Sequence, residues 1–250
     1  MTPVLRRVVV TRDESLDGPL SSALLRRGLE PVACNVVFEV PAPEPEMLER
    51  AAASLEHRDW MVVTSQRAVA AVMAARQGRP LPAKLRTAAV GEKTAAALVA
   101  AGAASPITAA GAGALALIAQ LRDEDHWPGK RVLLPRALEG GRELAVAFKR
   151  WGASVDQIVA YCTVARPPAE IVDAWRAACP DAVVVASPSA ARALVQALGA
   201  ECLRRLVRVA AMGPTTAMTL TALGVPAIVP ARSDFEAIAD LLLGASRAGA

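Results

Sequence analysis

The sequence predicts an α/β protein of two similar lobes, each a parallel sheet of about five strands flanked by helices. Three observations carry this. Short apolar runs alternate with helical patterns along the whole chain, ten runs in all, and strands that alternate with helices pair in parallel. The pattern then repeats itself half-way along. Finally, the 250 residues are 54% hydrophobic and only 3% aromatic, which is enough chain to bury a large core made mainly of Ala, Val and Leu.

The elements follow in order. Residues 8–11 are Val-Val-Val-Thr flanked by charge and read as a first strand. Leu16, Leu20, Ala23 and Leu24 recur at helical spacing over 15–27, and Gly28 closes that helix. A second apolar run covers 32–37. Pro41, Pro43 and Pro45 then interrupt the chain, because proline fixes φ and lacks the ladder donor. Helix 46–56, strand 60–64, helix 66–75, strand 87–90 and helix 94–101, ended by Gly102, come next. A short strand at 106–108, a helix at 114–121 and a polar turn at 123–129 complete the first half. The second half gives strand 132–135, helix 143–151 ended by Gly152, and strand 155–161. After the break at Pro167 and Pro168 come helix 171–178, strand 182–186, helix 189–198 and strand 207–212. Helix 215–223, strand 227–229 and helix 235–243 end the series.

The repeat is direct. Arg7-Val-Val-Val-Thr-Arg12 lies on Arg131-Val-Leu-Leu-Pro-Arg136 at an offset of 124, which also places Gly28 on Gly152 and Val37 on Tyr161. Trp60-Met-Val-Val-Thr-Ser65 lies on Ala182-Val-Val-Val-Ala-Ser187 at an offset of 122. That offset lays Arg86-Thr-Ala-Ala-Val-Gly91 on Arg208-Val-Ala-Ala-Met-Gly213 and Thr94 on Thr216. A bilobed protein with a cleft is expected.

Several function classes are disfavoured. A net charge of +4 over 250 residues is weak for a nucleic-acid binder and suits an anionic small molecule. Cys34, Cys162, Cys179 and Cys202 form no CxxC pair, and His57 and His126 have no ligand partner in sequence, so metal and Ser-His-Asp sites are not expected. Gly91-Glu-Lys-Thr94 lacks the Gly before Lys that a Walker A loop needs, and Gly111-Ala-Gly113 is only half a dinucleotide fingerprint. No cofactor is expected. Residues 1–7 lack the apolar core of a signal peptide, and no 18-residue apolar stretch runs free of charges or breakers. A cytoplasmic protein without a membrane partner is expected, and a monomer.

Ligands of parallel α/β sheets bind beyond the carboxyl ends of the strands. Four such ends carry small polar residues ahead of a helix: Thr64-Ser65, Gly91 to Thr94, Ser187-Pro188-Ser189, and Gly213-Pro214-Thr215-Thr216. Each offers backbone N–H groups to an anion, although Ser and Thr there equally serve as plain helix caps. Arg12 and Arg136 end equivalent strands, where they either clasp a carboxylate or sit solvated. Arg142 opens a helix, where the macrodipole disfavours a cation unless an anion is near. Tyr161, the single tyrosine, ends a strand beside a proline break; it is either a packing residue or a proton donor.

These pieces together resemble the uroporphyrinogen-III synthase family from about Arg7 to Leu243. The carriers are Val8-Val-Val-Thr-Arg12, Val63-Thr64-Ser65, Ala89-Val90-Gly91 with Thr94, and Leu134-Pro135-Arg136 followed by Gly140-Gly141-Arg142-Glu143-Leu144. Val159-Ala160-Tyr161-Cys162-Thr163, Ser187-Pro188-Ser189-Ala190 and Ala211-Met212-Gly213-Pro214-Thr215-Thr216-Ala217 complete them. Arg67 stands where the family usually has Asn, and Ala186 where it often has Thr. The resemblance implies lobes that are not the linear halves: residues 1–36 with 166–250, and residues 40–160, joined by a two-stranded linker at 37–39 and 161–165. It implies cyclisation of the linear tetrapyrrole hydroxymethylbilane to uroporphyrinogen III, with loss of water and inversion of ring D. The substrate is then a small-molecule polycarboxylate, received by hand-over from the preceding enzyme, and Tyr161 becomes the leading catalytic residue. The competing readings are a non-catalytic bilobed binder of a polyanion and an inactive synthase-like paralogue.

Overall fold

Three consecutive valines make the first strand, β1 (Arg7–Val10), and their alternation decides its neighbours. Val8 and Val10 point to one face and Val9 to the other, and all three are buried, as a strand covered by helices on both faces requires. β1 pairs in parallel with β2 (Glu30–Ala33) on one side and β9 (Ala182–Val185) on the other. β10 (Arg208–Ala211) pairs in parallel with β9 and completes a sheet of order β10-β9-β1-β2. The computed structural model describes residues 5–109, 111, 113–206, 208–231 and 234–244.

One face of this sheet is covered by α7 (Pro168–Ala178), α8 (Pro188–Leu198) and α10 (Pro214–Ala222), whose Ile171, Trp175, Leu194 and Leu220 pack on Val9, Val183 and Val209. The other is covered by α1 (Pro19–Leu25) and α11 (Phe235–Gly244), through Leu20, Leu24, Ile238 and Leu242 on Val8, Val10 and Val184.

The second sheet has six strands in the order β3-β8-β7-β4-β5-β6. They are β3 (Val37–Pro41), β4 (Trp60–Val63), β5 (Arg86–Ala89), β6 (Ile107–Thr108), β7 (Arg131–Ala137) and β8 (Ser154–Ala165). Its faces carry α2 (Pro45–Ala53), α3 (Gln66–Ala75) and α4 (Glu92–Ala100), and opposite them α5 (Gly113–Leu121) and α6 (Glu143–Arg150). Under α5 and α6 the core is aromatic: Trp127 lies 5.1 Å from Trp60, 4.8 Å from Phe148 and 5.6 Å from Trp151, ring centre to ring centre. The buried Trp60 needs an acceptor, and its Nε1 donates to Asp125 Oδ2 at 2.9 Å. Burial opposes ionisation of Asp125, but hydrogen bonds from Trp60, Lys130 and the His126 amide hold its carboxyl below the usual range.

The chain divides into two units, Met1–Phe38 with Val164–Ala250, and Glu39–Thr163. The repeat is legible in both. Strand order β10-β9-β1-β2 in the first matches β5-β4-β7-β8 in the second. The amino edge of each sheet carries the same lock: Asp181 Oδ2 accepts the Arg7 amide at 2.8 Å, and Asp59 Oδ2 accepts the Arg131 amide at 2.8 Å. The helix-closing glycines also repeat. Gly28 and its counterpart Gly152 have φ of +73° and +86°, and Gly224 and its counterpart Gly102 have +79° and +99°.

The expected helix 46–56 ends at Ala53 and a 3-10 turn follows at Leu55–His57, β7 runs on to Ala137, and α7 starts at Pro168. Five further differences have a clear local cause or consequence. The first helix is confined to Pro19–Leu25, because Pro19 starts it at N1 and Glu14 Oε1 accepts the Ser21 amide at 2.7 Å from the preceding loop. The apolar run 32–37 does not form one strand but divides between β2 and β3. β8 extends to Ala165, beyond Tyr161. A short helix, α9 (Ala200–Arg204), follows α8 after Gly199. Residues 227–229 form no strand: Pro226 and Pro230 flank them, and Ile228 alone makes a parallel bridge to Ala210. The sheets therefore have four and six strands rather than five each. Val207, the first residue of the expected strand 207–212, lies outside the described residues.

Candidate functional site

At the carboxyl edge of the six-stranded sheet, β4 ends in Thr64-Ser65 and the chain turns into α3. Ser65 has extended backbone (φ −151°, ψ 149°) and its side chain accepts the Ala68 amide at 3.2 Å, as an N-cap does. The first amides of α3 have no intrahelical acceptor and face the end of the sheet. Next to it, β5 ends at Gly91, the N-cap of α4, where Thr94 is buried and its amide donates to the Gly91 carbonyl at 3.0 Å. Gln66 Nε2 donates to the Lys93 carbonyl at 2.9 Å and ties the two helix starts together.

Tyr161 comes to the same place from β8. Its hydroxyl lies 3.1 Å from Ser65 Oγ, across 96 residues of sequence. Both side chains are half-buried. Tyr161 also lines an open cavity of about 520 Å³ between β3, α2 and α3, with Glu39, Glu49 and Arg67 as other polar groups and Pro41, Leu48 and Ala71 among the apolar ones. Arg67, second residue of α3, is ion-paired with Glu39.

The four-stranded sheet repeats the two turns. Ser187 is extended (φ −155°, ψ 163°) and accepts the Ala190 amide at 3.1 Å as the N-cap of α8, with Ser189 in the first turn. Gly213 caps α10, with Thr215 exposed and Thr216 buried. Thr11 fixes the Ser187 turn from β1: its Oγ1 accepts the Ala186 amide at 2.9 Å and donates to the Val184 carbonyl at 3.2 Å.

The three arginines singled out in the sequence have surroundings of their own. Arg12 is held by Glu14 at 2.8 Å and stacks over Phe235 at 4.9 Å. Arg136 Nη1 donates to the carbonyls of Ala137, Leu138 and Gly140 at 2.9, 2.7 and 3.0 Å, which folds its own loop back on itself. Arg142 is exposed at the start of α6 and lines a separate open groove of about 830 Å³ with α5. Sequence reasoning missed Thr11, the Glu39–Arg67 pair and the joining of Ser65 to Tyr161. The repeat placed both Ser65 and Tyr161 at strand ends, and that was the available signal.

A family model described as uroporphyrinogen-III synthase HemD matches residues 18–240. The chain belongs to the uroporphyrinogen-III synthase family. It is accordingly an enzyme of the lyase class, in tetrapyrrole biosynthesis. A curated uroporphyrinogen-III synthase from Synechococcus elongatus is 28% identical over 232 residues, covering 86% of this chain and 85% of that protein. The solved structures of the family share the fold. A mutant uroporphyrinogen III synthase from the extremely thermophilic bacterium Thermus thermophilus aligns with a TM-score of 0.66 at 22% identity, over 97% of this chain and 98% of that one. The uroporphyrinogen-III synthetase of Helicobacter pylori aligns with a TM-score of 0.62 at 16% identity, over 96% of this chain and all (100%) of the other. Among the described residues no helix is long and apolar enough to cross a membrane.

Proposed function

We propose that this chain cyclises hydroxymethylbilane to uroporphyrinogen III, with loss of water and inversion of ring D, and that Tyr161 assists departure of the hydroxyl. The observation that carries the assignment of Tyr161 is its 3.1 Å contact with Ser65 at the carboxyl edge of the sheet. Ser65 Oγ already accepts the Ala68 amide. Either hydroxyl of this pair can be the donor; in the proposed mechanism Ser65 donates to Tyr161 Oη, which leaves the phenol's own proton for the substrate. The lone pair of the first pyrrole nitrogen expels the substrate hydroxyl as Tyr161 transfers its phenolic proton to the departing oxygen, so that water leaves. The N–H proton of the azafulvenium ion then returns to the phenolate and leaves the neutral azafulvene. The azafulvene is attacked by the substituted carbon of ring D. The resulting spiro-pyrrolenine fragments and recloses with that ring reversed. A substrate with eight carboxylates suits the paired turns at Ser65, Gly91, Ser187 and Gly213, whose helix N-termini favour anions. Residues 37–39 and 161–165 then serve as the linker between the units.

The test is a coupled assay in which hydroxymethylbilane is generated in place and the products are oxidised and separated as type I and type III uroporphyrins. Mainly type III is expected. Type I alone, from folded protein, discards this function and leaves a polyanion binder or an inactive paralogue.

A further inference from the structure

We infer that Arg67 binds a carboxylate of the substrate, and that Glu39 occupies its guanidinium until the substrate displaces it. The inference rests on the synthase reading above and deepens it.

Four observations place Arg67. It is the second residue of α3, two positions after Ser65, whose hydroxyl meets Tyr161 at 3.1 Å. Its side chain is 57% exposed and lines the same cavity as Tyr161. Among the described residues lining that cavity it is the one cation, facing two carboxylates, Glu39 and Glu49. The remaining lining is largely alkyl carbon, from Pro41, Leu48, Ala71 and their neighbours. The surface suits an arm that is apolar along its length and charged at its end.

The pairing with Glu39 explains how such a site stays ready. The pair is weak, because with 57% of the Arg67 side chain and 33% of the Glu39 side chain exposed both ions stay partly hydrated and salt screens them. Replacing one carboxylate by another at a guanidinium therefore costs little. The planar guanidinium fork can donate two parallel N–H bonds to an incoming carboxylate. Glu39 orients Arg67 and also competes for it. The two residues thus have opposite effects on substrate capture, although they form a single ion pair. A purely structural pair would behave otherwise, since either loss would lower stability and shift kinetics in the same direction.

The experiment uses the full chain and steady-state kinetics of type III formation. Arg67→Gln is expected to raise KM about tenfold, the equivalent of about 1.4 kcal/mol of binding, with a much smaller fall in kcat. Arg67→Lys should recover part of the loss. Glu39→Gln should lower KM two- to threefold. The salt dependence of kcat/KM should be shallower in Arg67→Gln than in the parent. Unchanged KM in Arg67→Gln, or KM rising alike in both variants, overturns the inference while type III formation by the parent upholds the synthase reading. Failure of the parent itself to form type III product overturns the synthase reading and this inference with it. Melting temperatures of both variants within a degree or two of the parent separate these effects from misfolding.

Discussion

Ser65 and Ser187 are the same residue built twice. Both end a buried parallel strand, both have extended backbone, and both cap a helix through its third amide, at 3.2 Å and 3.1 Å. Their surroundings differ. Ser65 meets the phenol of Tyr161, while the turn before Ser187 is fixed by Thr11 through the Ala186 amide. The chain has one tyrosine, and the repeat puts Val37 at the corresponding place in the other copy. The two copies share the frame and two helix-capping turns per unit; only the Ser65 turn meets a phenol, and in the proposed function that phenol is the proton donor.

The sharpest break of this symmetry is Tyr161→Phe. Removing a positioned proton donor typically costs 10²–10⁴ in rate, and kcat is expected to fall about 100-fold. The ring still fills its place, so the melting temperature should stay within a few degrees. Full activity with unchanged melting removes Tyr161 from the mechanism. Next in size is the paired test Ser65→Ala and Ser187→Ala. Each loses a cap and should cost about 1 kcal/mol of stability. Ser65→Ala alone should also lower kcat about tenfold, because Tyr161 loses the partner that orients its proton. Equal kinetic losses in the two variants would mean that the phenol contact is incidental.

Much of this was readable in advance, and the reason is periodicity. Valine runs such as 8–10 and 183–185 read as strands buried on both faces, and the repeat then carries the strand order from one sheet to the other. The unread parts depend on single contacts. Pro226 and Pro230 reduce an apolar run to one bridge. Arg136 has the position of an anion ligand, yet three carbonyls of its own loop take its Nη1, which only the path of residues 137–140 decides. The meeting of Ser65 and Tyr161 depends on the register of β8 beside β7, with a shift between Arg136 and Ala137. Spacing along the chain contains no trace of that shift.

Glycine at the second turn of each copy gives a smaller effect on binding. Gly91 and Gly213 have φ of −156° and −167°, extended values open to any residue, and an added Cβ meets nothing within 4 Å. Gly213→Val and Gly91→Val should therefore fold normally. Each side chain nevertheless crowds the amides at a helix start, so KM for the polycarboxylate should rise several-fold. Wild-type kinetics in both well-folded variants would refute anion binding at these turns.

The smallest kinetic effect is expected at the opposite edge of the sheets, where the copies remain equivalent. Asp59 accepts the Arg131 amide and Asp181 the Arg7 amide, each at 2.8 Å, and each returns its own amide to the carbonyl of the same arginine, at 3.0 Å and 2.9 Å. Asp59→Ala removes the bond from the Arg131 amide and an ion pair with the Arg131 side chain at 3.6 Å, and Asp181→Ala removes the bonds from the Arg7 and Arg6 amides at 2.8 and 2.9 Å. A hydrogen bond to a charged acceptor is worth about 1.5–3 kcal/mol at the upper limit. Partial exposure of Asp59, 36% at the side chain, brings the expected loss nearer 1 kcal/mol. The two variants should lower the melting temperature by similar amounts and leave kcat and KM unchanged, since neither residue lies at the carboxyl edge. If one of them lowered activity without lowering stability, the amino edges would be as unlike as the Ser65 and Ser187 turns, and the division between duplicated frame and single-copy chemistry would fail.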